Sequence, residues 1–551
     1  MPLGPELIEA LSGEITEAFC QSRLRRAESG DRWMALFFPG GRIIFFSWDA
    51  ELYGLCEAGA DEVRSLSELA SSRPPIQNAV KAHLAGAQIT SSRAIGRDRL
   101  LEIVFRREVG AGFSQERKLV FEASARYSNL ILLDEEGTVI EAAKHIHPDT
   151  NRYRSIIPGE PYTPPPPIKG EKLEDFTGGP DSLNNISGLG KPLLEAIKKK
   201  CEASGESNAG EIARQGLRAP FIYQRIGGYV TLFGELLPEA DRVGSGNALA
   251  AARECVILPL LERHAAKARK KAASRIEKLA RANARKIADA EAERDGSAEA
   301  EALKRDGQLI LANVWRIPPR AEFADLPEWG EEGKEGETVR RVRLDPERDA
   351  PGNAERYFAK YRKKRASSER ARKILPGLYL ERDAISEQEA LLECHTDAVT
   401  TLSMISELSP PESPPKGKKQ RDSLKPPHRR FEFAEENSVI LIGLSAAGNH
   451  YVTFRLASGD DIWLHAQGIP GAHVILRFAS KPGQETYARM IEIAASAAAF
   501  HSKAARSGRV RVDYTERRHV RAIPGAGIAQ VTYREFSSIN ADAALWKDIS
   551  L

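Results

Sequence analysis

Cysteine is scarce and scattered: Cys20, Cys56, Cys201, Cys255 and Cys394 are the five in 551 residues, and no two form a C-x-x-C pair. That spacing argues against a zinc site and against a disulfide framework, and it fits a reducing compartment. Long apolar runs are missing too, since none approaches the roughly 18 residues that a membrane span needs. The start, Met1-Pro-Leu-Gly-Pro-Glu6, lacks the basic and apolar stretches of an export signal. These absences predict a cytoplasmic chain with no membrane partner, no metal and no cofactor. Net charge is nearly absent as well, a formal +3 from 80 basic and 77 acidic residues.

What is present is size and uneven charge. A chain of 551 residues with 42% hydrophobic content is too long for one core and is expected to fold as several modules. Residues 261–287 hold ten Lys or Arg, Lys270 and Lys271 among them, against only Glu262 and Glu277. Such a helix is either a polyanion-facing surface or a solvated basic face.

Residues 1–168 read as one mixed α/β domain. Helical patterns run over Leu7–Phe19 and Ile76–Leu84, with strand-length apolar runs at Ile43–Phe46, Leu101–Phe105, Lys118–Phe121 and Asn129–Leu133. The Pro164–Pro167 run ends that module. Residues 170–245 read as a helix-hairpin-helix domain, helical with short turns over 170–240. There, Ile186-Ser-Gly-Leu-Gly-Lys191 ahead of Pro192 has helix-hairpin-helix character. Gly188, Gly190 and Lys191 are placed either to meet a phosphate or to make a plain interhelical turn.

Residues 248–408 carry two long helical patterns, 250–300 and Asn353 to Leu408, the second expected to break at Pro376-Gly377. Leu261, Ala265, Ala268, Ala272, Ile276 and Leu279 make a narrow stripe that Asn283 interrupts before Ile287. Two such helices with an insertion between them predict a long antiparallel coiled-coil arm. The proline-rich, basic 409–429 reads as an extended linker. Residues 430–545 read as a final α+β domain. Its expected strands include Val439–Ile442, Tyr451–Leu456, Asp461–His465, His473–Phe478, Val510–Tyr514 and Ala529–Tyr533, with an Ala-rich helix from Gln484 to Arg506.

The stretch from Asp461 to Leu476 gathers Trp463, His465 and His473 around a Pro470-Gly471 turn. Flat polar rings in such number suit stacking on a nucleotide, although a lone Trp in a strand is commonly a core residue. Arg477, Arg509, Arg511, Arg517, Arg518 and Arg521 supply positive charge, and Tyr514 adds a ring.

This stretch closely resembles the signature of the RNA-binding domain that closes NFACT proteins, a ribosome quality-control family. Further segments resemble the family in order: Gly96-Arg-Asp-Arg-Leu100, Glu122 with Arg126-Tyr-Ser-Asn129, Tyr153-Arg-Ser-Ile-Ile-Pro-Gly159 with Tyr162, Leu303 to Asn313, Val342 to Pro346, Asn353 to Lys364, and Val512-Asp-Tyr-Thr515. The resemblance implies a multidomain α+β factor that binds a large ribosomal subunit obstructed by peptidyl-tRNA. It further implies recruitment of tRNA, alanyl-tRNA in bacterial relatives, for alanine tailing of the nascent chain without mRNA. Bond formation would belong to the ribosome, so no catalytic residue is expected, and the factor would act as a monomer.

Asp98 and Arg99 match the family's Asp-Arg pair, implying tRNA engagement; a plain ion pair is the structural alternative. Arg126, Asn129, Trp463, His465, Pro470, Gly471, His473 and Arg511 are further expected tRNA contacts. Gly188, Gly190, Lys191, Lys270 and Lys271 are expected against ribosomal RNA. Three positions depart from the family pattern: Ala82 after Lys81, His450 after Asn449, and Ala472 in Pro470-Gly-Ala-His473.

Two other resemblances compete. Met1-Pro2 is similar to the start of formamidopyrimidine-type DNA glycosylases, but no cysteine quartet for their zinc finger follows. Some relatives are labelled fibronectin-binding, which would imply a surface adhesin, yet no export signal supports it.

Overall fold

The computed structural model describes residues 3–550 except 71, 97–98, 111–112, 150, 168, 219, 244–246, 329–337, 395–397, 400, 403–404, 406–425 and 427 together with 525–526. Asp98 and nearly all of the expected linker therefore lie outside the described residues. The chain is multidomain α+β and forms two compact units, 1–268 with 397–406, and 269–396 with 407–551.

In the first unit, helix Pro5–Phe19 buries Leu7, Ile8, Leu11, Ile15 and Phe19, the 3–4 residue spacing of a one-sided helix. It packs with two antiparallel sheets. One is a four-stranded meander from Arg26 to Glu57; the other has five strands, in chain order, from Gln88 to Ala142. The long hairpin Leu100–Gly110/Phe113–Glu122 is buried toward its base and exposed toward its turn. A smaller core joins Leu193, Ile197, Ile212, Tyr229 and Phe233.

The expectation that 170–240 is helical with short turns is corrected here. Residues Ile222–Ile226 and Tyr229–Phe233 pair as an antiparallel hairpin about Gly227-Gly228. Both glycines have positive φ, which the tight turn requires.

In the second unit two helices run antiparallel. The helix Ile257–Asp295 starts in the first unit and passes into the second at Arg269, while Ala350–Cys394 lies wholly in the second. Asn283 faces Leu378 and Glu381, Ala290 meets Ala371 and Leu375, and Ser368 bonds the Arg294 carbonyl. At 1.5 Å per residue, a 45-residue helix is about 68 Å long. The first helical pattern does not run unbroken to 300: it turns at Gly296 and resumes as Ser297–Ala312. A two-stranded insertion, Phe323–Glu328 with Thr338–Arg343, follows.

The expected break at Pro376-Gly377 is also corrected, because Pro376 sits inside one continuous helix. Proline removes one backbone donor, but the buried Ala371–Leu375 seam against Ala290 holds the helix through that loss.

The terminal domain is a six-stranded antiparallel sheet in the order His428–Phe433, Ser438–Gly443, Val474–Phe478, Ile462–Ala466, Arg509–Glu516, Ser537–Asp542. Helix Gln484–Phe500 covers one face with Ala543–Ser550, the two tied by Ser496, which bonds the Asp542 carbonyl and the Trp546 amide. Two strand expectations change. Tyr451–Leu456 is helical: Ala446–Tyr451, capped by Ser445, passes into a π-turn over Val452–Leu456. The alternation of Val452 to Leu456 imitates a strand, yet the cap commits the segment to a helix. Ala529–Tyr533 shrinks to Val531–Tyr533.

Candidate nucleic-acid interface

Trp463 sits mid-strand and is fully buried. His465 stacks on it at 5.7 Å and 19°, and His473 meets both rings edge-on at 5.2 and 5.3 Å. Tyr533 tilts against Trp463 at 4.9 Å. Strand alternation puts residues 463 and 465 on one face, and the antiparallel neighbour adds 473.

The turn between these strands is fixed by backbone contact. A side chain on Gly471 would meet the His501 carbonyl and the Ser502 backbone at 3.0 Å, so only glycine fits without movement. The Ala472 amide bonds the His501 carbonyl, and the Lys503 amide bonds that of Pro470. Ala472 itself is fully buried. Pro470 remains partly accessible.

Asn449 is the organising residue. Its Oδ1 accepts the His473 amide at 2.9 Å, and its Nδ2 donates to the Gly471 carbonyl at 3.1 Å and to Glu387 at 2.8 Å. The neighbouring His450 packs on Phe454. His473 Nδ1 bonds Thr453 on the π-turn. Burial lowers His465 to about 4. Burial, with His465 and His450 nearby, holds His473 well below its ordinary value. Both rings are therefore neutral at pH 7 and offer stacking and hydrogen bonds, not positive charge.

Positive charge comes from part of the expected set. Arg509, Arg511 and Arg521 are exposed, the first two alternating along their strand with buried Val510 and Val512. Arg477 is instead bound to Asp461 and the Leu456 carbonyl. Arg517 bonds the Thr453 carbonyl over Phe454, and Arg518 pairs with Asp460. Arg477 and Arg517 thus hold the π-turn in place, while Arg518 stays exposed in surface ion pairs. Tyr514 is only partly accessible.

In the first unit, Arg99 is half-buried against Tyr53, whose phenol proton burial tightens despite the guanidinium. Its carbonyl accepts the Ala123 amide. Asn129 is fully buried: Oδ1 accepts the Leu130 and Lys144 amides and Nδ2 donates to the Lys144 carbonyl. Asn129 is thus a positioning residue. Beside it Arg126 and Tyr127 are exposed, the guanidinium 4.7 Å over the ring. The loop that presents them rests on buried Glu122, which takes both 2.7 Å bonds from Arg154 and a hydroxyl bond from Tyr162.

The glycines of the expected hairpin have a different occupant. Gly188 has a positive φ of 81°, but the Gly190 amide donates to the Glu6 carboxylate at 3.0 Å. Tyr229 and Thr231 also donate to Glu6. An internal carboxylate already fills the anion position, while Lys191 stays exposed at the helix start. Lys270 and Lys271 are exposed on the arm. Among the described residues no cluster suited to a metal ion is found, and no helix is long and apolar enough to cross a membrane.

The family model for the NFACT N-terminal and middle domains matches residues 70–217 and 260–409, more than half of the chain. The chain belongs to the NFACT family. This NFACT chain is similar to the Rqc2 homolog RqcH of Bacillus subtilis, 29% identical over 82% of this chain and 83% of that one. It is also similar to the Rqc2 homolog RqcH of Streptococcus suis, 25% identical over 83% and 82%. Among solved structures, the C-terminal part of the fibronectin/fibrinogen-binding protein of Streptococcus suis is 22% identical, with a TM-score of 0.37. That match covers 52% of this chain and 98% of the other. Membership places the NFACT chain in ribosome quality control and among RNA-binding factors.

Residues that sequence reading passed over are Glu387, Thr453, Asp513 and Tyr533. Asp513 is buried and accepts hydrogen bonds from Tyr533, Ser538 and Gln467. The Val512-Asp-Tyr-Thr515 segment was a signal for Asp513. Nothing local marked Glu387, one of many arm glutamates.

Proposed function

We propose that this protein acts in the cytoplasm on large ribosomal subunits obstructed by peptidyl-tRNA and recruits a second tRNA, alanyl-tRNA, so that the stalled chain is extended without mRNA. The observation that carries this reading is the family match across the N-terminal and middle parts, with similarity to RqcH over 82% of the chain. The protein holds tRNA and makes no bond itself; the peptidyl-transferase chemistry is the ribosome's.

Three surfaces support the reading. Arg126 with Tyr127 offers a cation and a ring for an unpaired base. Arg509, Arg511 and Arg521 offer phosphate contacts, and so do Lys270 and Lys271. Asp98 and Arg99 enter the proposal through the family motif. The second reading, a tRNA and subunit binder without tailing, draws on Arg99 being half-buried against Tyr53.

Affinity purification followed by sequencing of bound RNA and mass spectrometry of attached nascent chains separates the two. Large-subunit RNA, tRNA and alanine-extended peptides that vanish in Arg99→Ala support tailing. Bound subunits with unextended peptides give the second reading, and absence of both RNAs sinks each.

A further inference from the structure

Between the arm helix Ala350–Cys394 and the terminal sheet lies a cavity of about 630 Å³, lined by Glu387, Asp383, Trp463, His465, Pro470 and Tyr533 among others. Its floor is Trp463, whose buried indole Nε1–H has no hydrogen-bond partner among the described residues. An unpaired buried donor is costly, and a ligand acceptor would relieve that cost. His465 and Tyr533 flank the floor and are both partly accessible, so flat rings are offered at the wall.

Among the described residues lining the cavity, Glu387 is the carboxyl group without an ion pair. Asp383 is held by Arg382. Glu387 meets just one protein donor among the described residues, the Asn449 amide on Oε1, which leaves Oε2 and a second lone pair of Oε1 for a ligand. Burial pushes it up to about 7, so at slightly alkaline pH the carboxylate awaits hydrogen-bond donors. Aromatic walls, two adjacent acceptor sites and a lone donor describe a flat ligand with two neighbouring N–H groups and an acceptor. Among nucleobases, guanine alone presents N1–H beside an N2 amine, with O6 and N7 as acceptors. Arg382 and Asp383 offset each other at the rim, so the unpaired Glu387 sets the local charge and favours the donor edge of a base over a phosphate.

We propose that this cavity receives one unstacked guanine of RNA, with Glu387 accepting from the N1–H and N2–H edge and Trp463 supplying the donor beneath it. The inference rests on the RNA-binding reading above and adds a base preference to it.

The test is fluorescence anisotropy of the full chain at pH 8 with labelled pentanucleotides UUGUU, UUAUU, UUCUU and UUUUU, and with UUIUU, in which inosine lacks the N2 amine. UUGUU is expected to bind at least fivefold more tightly than the other three, inosine to fall between, and Glu387→Gln to remove the preference. Equal affinities for all five oligomers in the wild-type chain overturn the proposal without recourse to any variant. Displacement by an arginine-rich peptide without guanine preference would make the occupant a protein side chain and also overturn it. Transfer RNA measured in parallel keeps the two levels apart: tRNA bound without guanine preference leaves the RNA-binding reading standing and this one refuted, while no RNA bound at all refutes both.

Discussion

A buried side chain that satisfies several backbone groups at once is felt throughout its neighbourhood, and Asn449 is such a residue. Its amide holds the His473 strand, the Gly471 turn and Glu387. Asn449→Ala strands a backbone amide and a carbonyl in the interior and is expected to cost about 2 kcal/mol or more, read as a lowered urea midpoint. Arg154→Ala leaves Glu122 charged and buried, with both partners under a tenth exposed, and is expected to cost about 3–5 kcal/mol. The histidines give stability a pH dependence. His465 sits near 4 in the folded state, below its ordinary 6.5, so the unfolded chain binds protons the folded site refuses; this stability is lost as pH falls below about 6.5. Glu387 has the opposite sign. Raised to about 7, it contributes fully below about 4.5, and that contribution is lost as pH rises through 7. Urea midpoints from pH 4 to 8 should therefore show loss on the acid side in both wild type and Glu387→Gln, with the loss near pH 7 confined to wild type. Which rings would gather was legible in the spacing of 463, 465 and 473. Which of them carry charge was not, because burial decides that and burial is a property of the whole domain.

At the scale of elements, period and caps explain both the successes and the misses. Helices Pro5–Phe19 and Ile76–Leu84 are read correctly because one-sided apolar spacing and a proline near the start agree. Val452–Leu456 misleads because a π-turn can carry an alternating sequence, and the capping Ser445 lies seven residues upstream of Val452. Pro376 misleads in the other direction, since packing against the partner helix outweighs a local breaker. Pro376→Ala should stabilise the arm by up to about 3 kcal/mol, seen as greater amide-exchange protection around Arg372 to Leu380. The buried Asn283 was legible as an interruption of the apolar stripe, and its bonds to Leu378 and Glu381 give it a place in setting the register. Charge on the same helix is open to test: Lys270→Glu with Lys271→Glu should weaken RNA binding several-fold and flatten its salt dependence, without loss of helicity.

For the whole molecule, the order of segments was the most legible property. The family expected from motifs between Gly96 and Thr515 is the one whose model matches residues 70–217 and 260–409. The cavity beside Glu387 was not legible, because it joins residues more than 60 positions apart on an arm helix and a terminal sheet. The most direct measurement of the central claim is co-sedimentation of the full chain with large ribosomal subunits carrying peptidyl-tRNA, compared with empty large subunits and small subunits. The account predicts stoichiometric pelleting with the obstructed large subunit, weaker association with the empty one, and additional tRNA brought along by the protein. Equal or absent association with all three would contradict it.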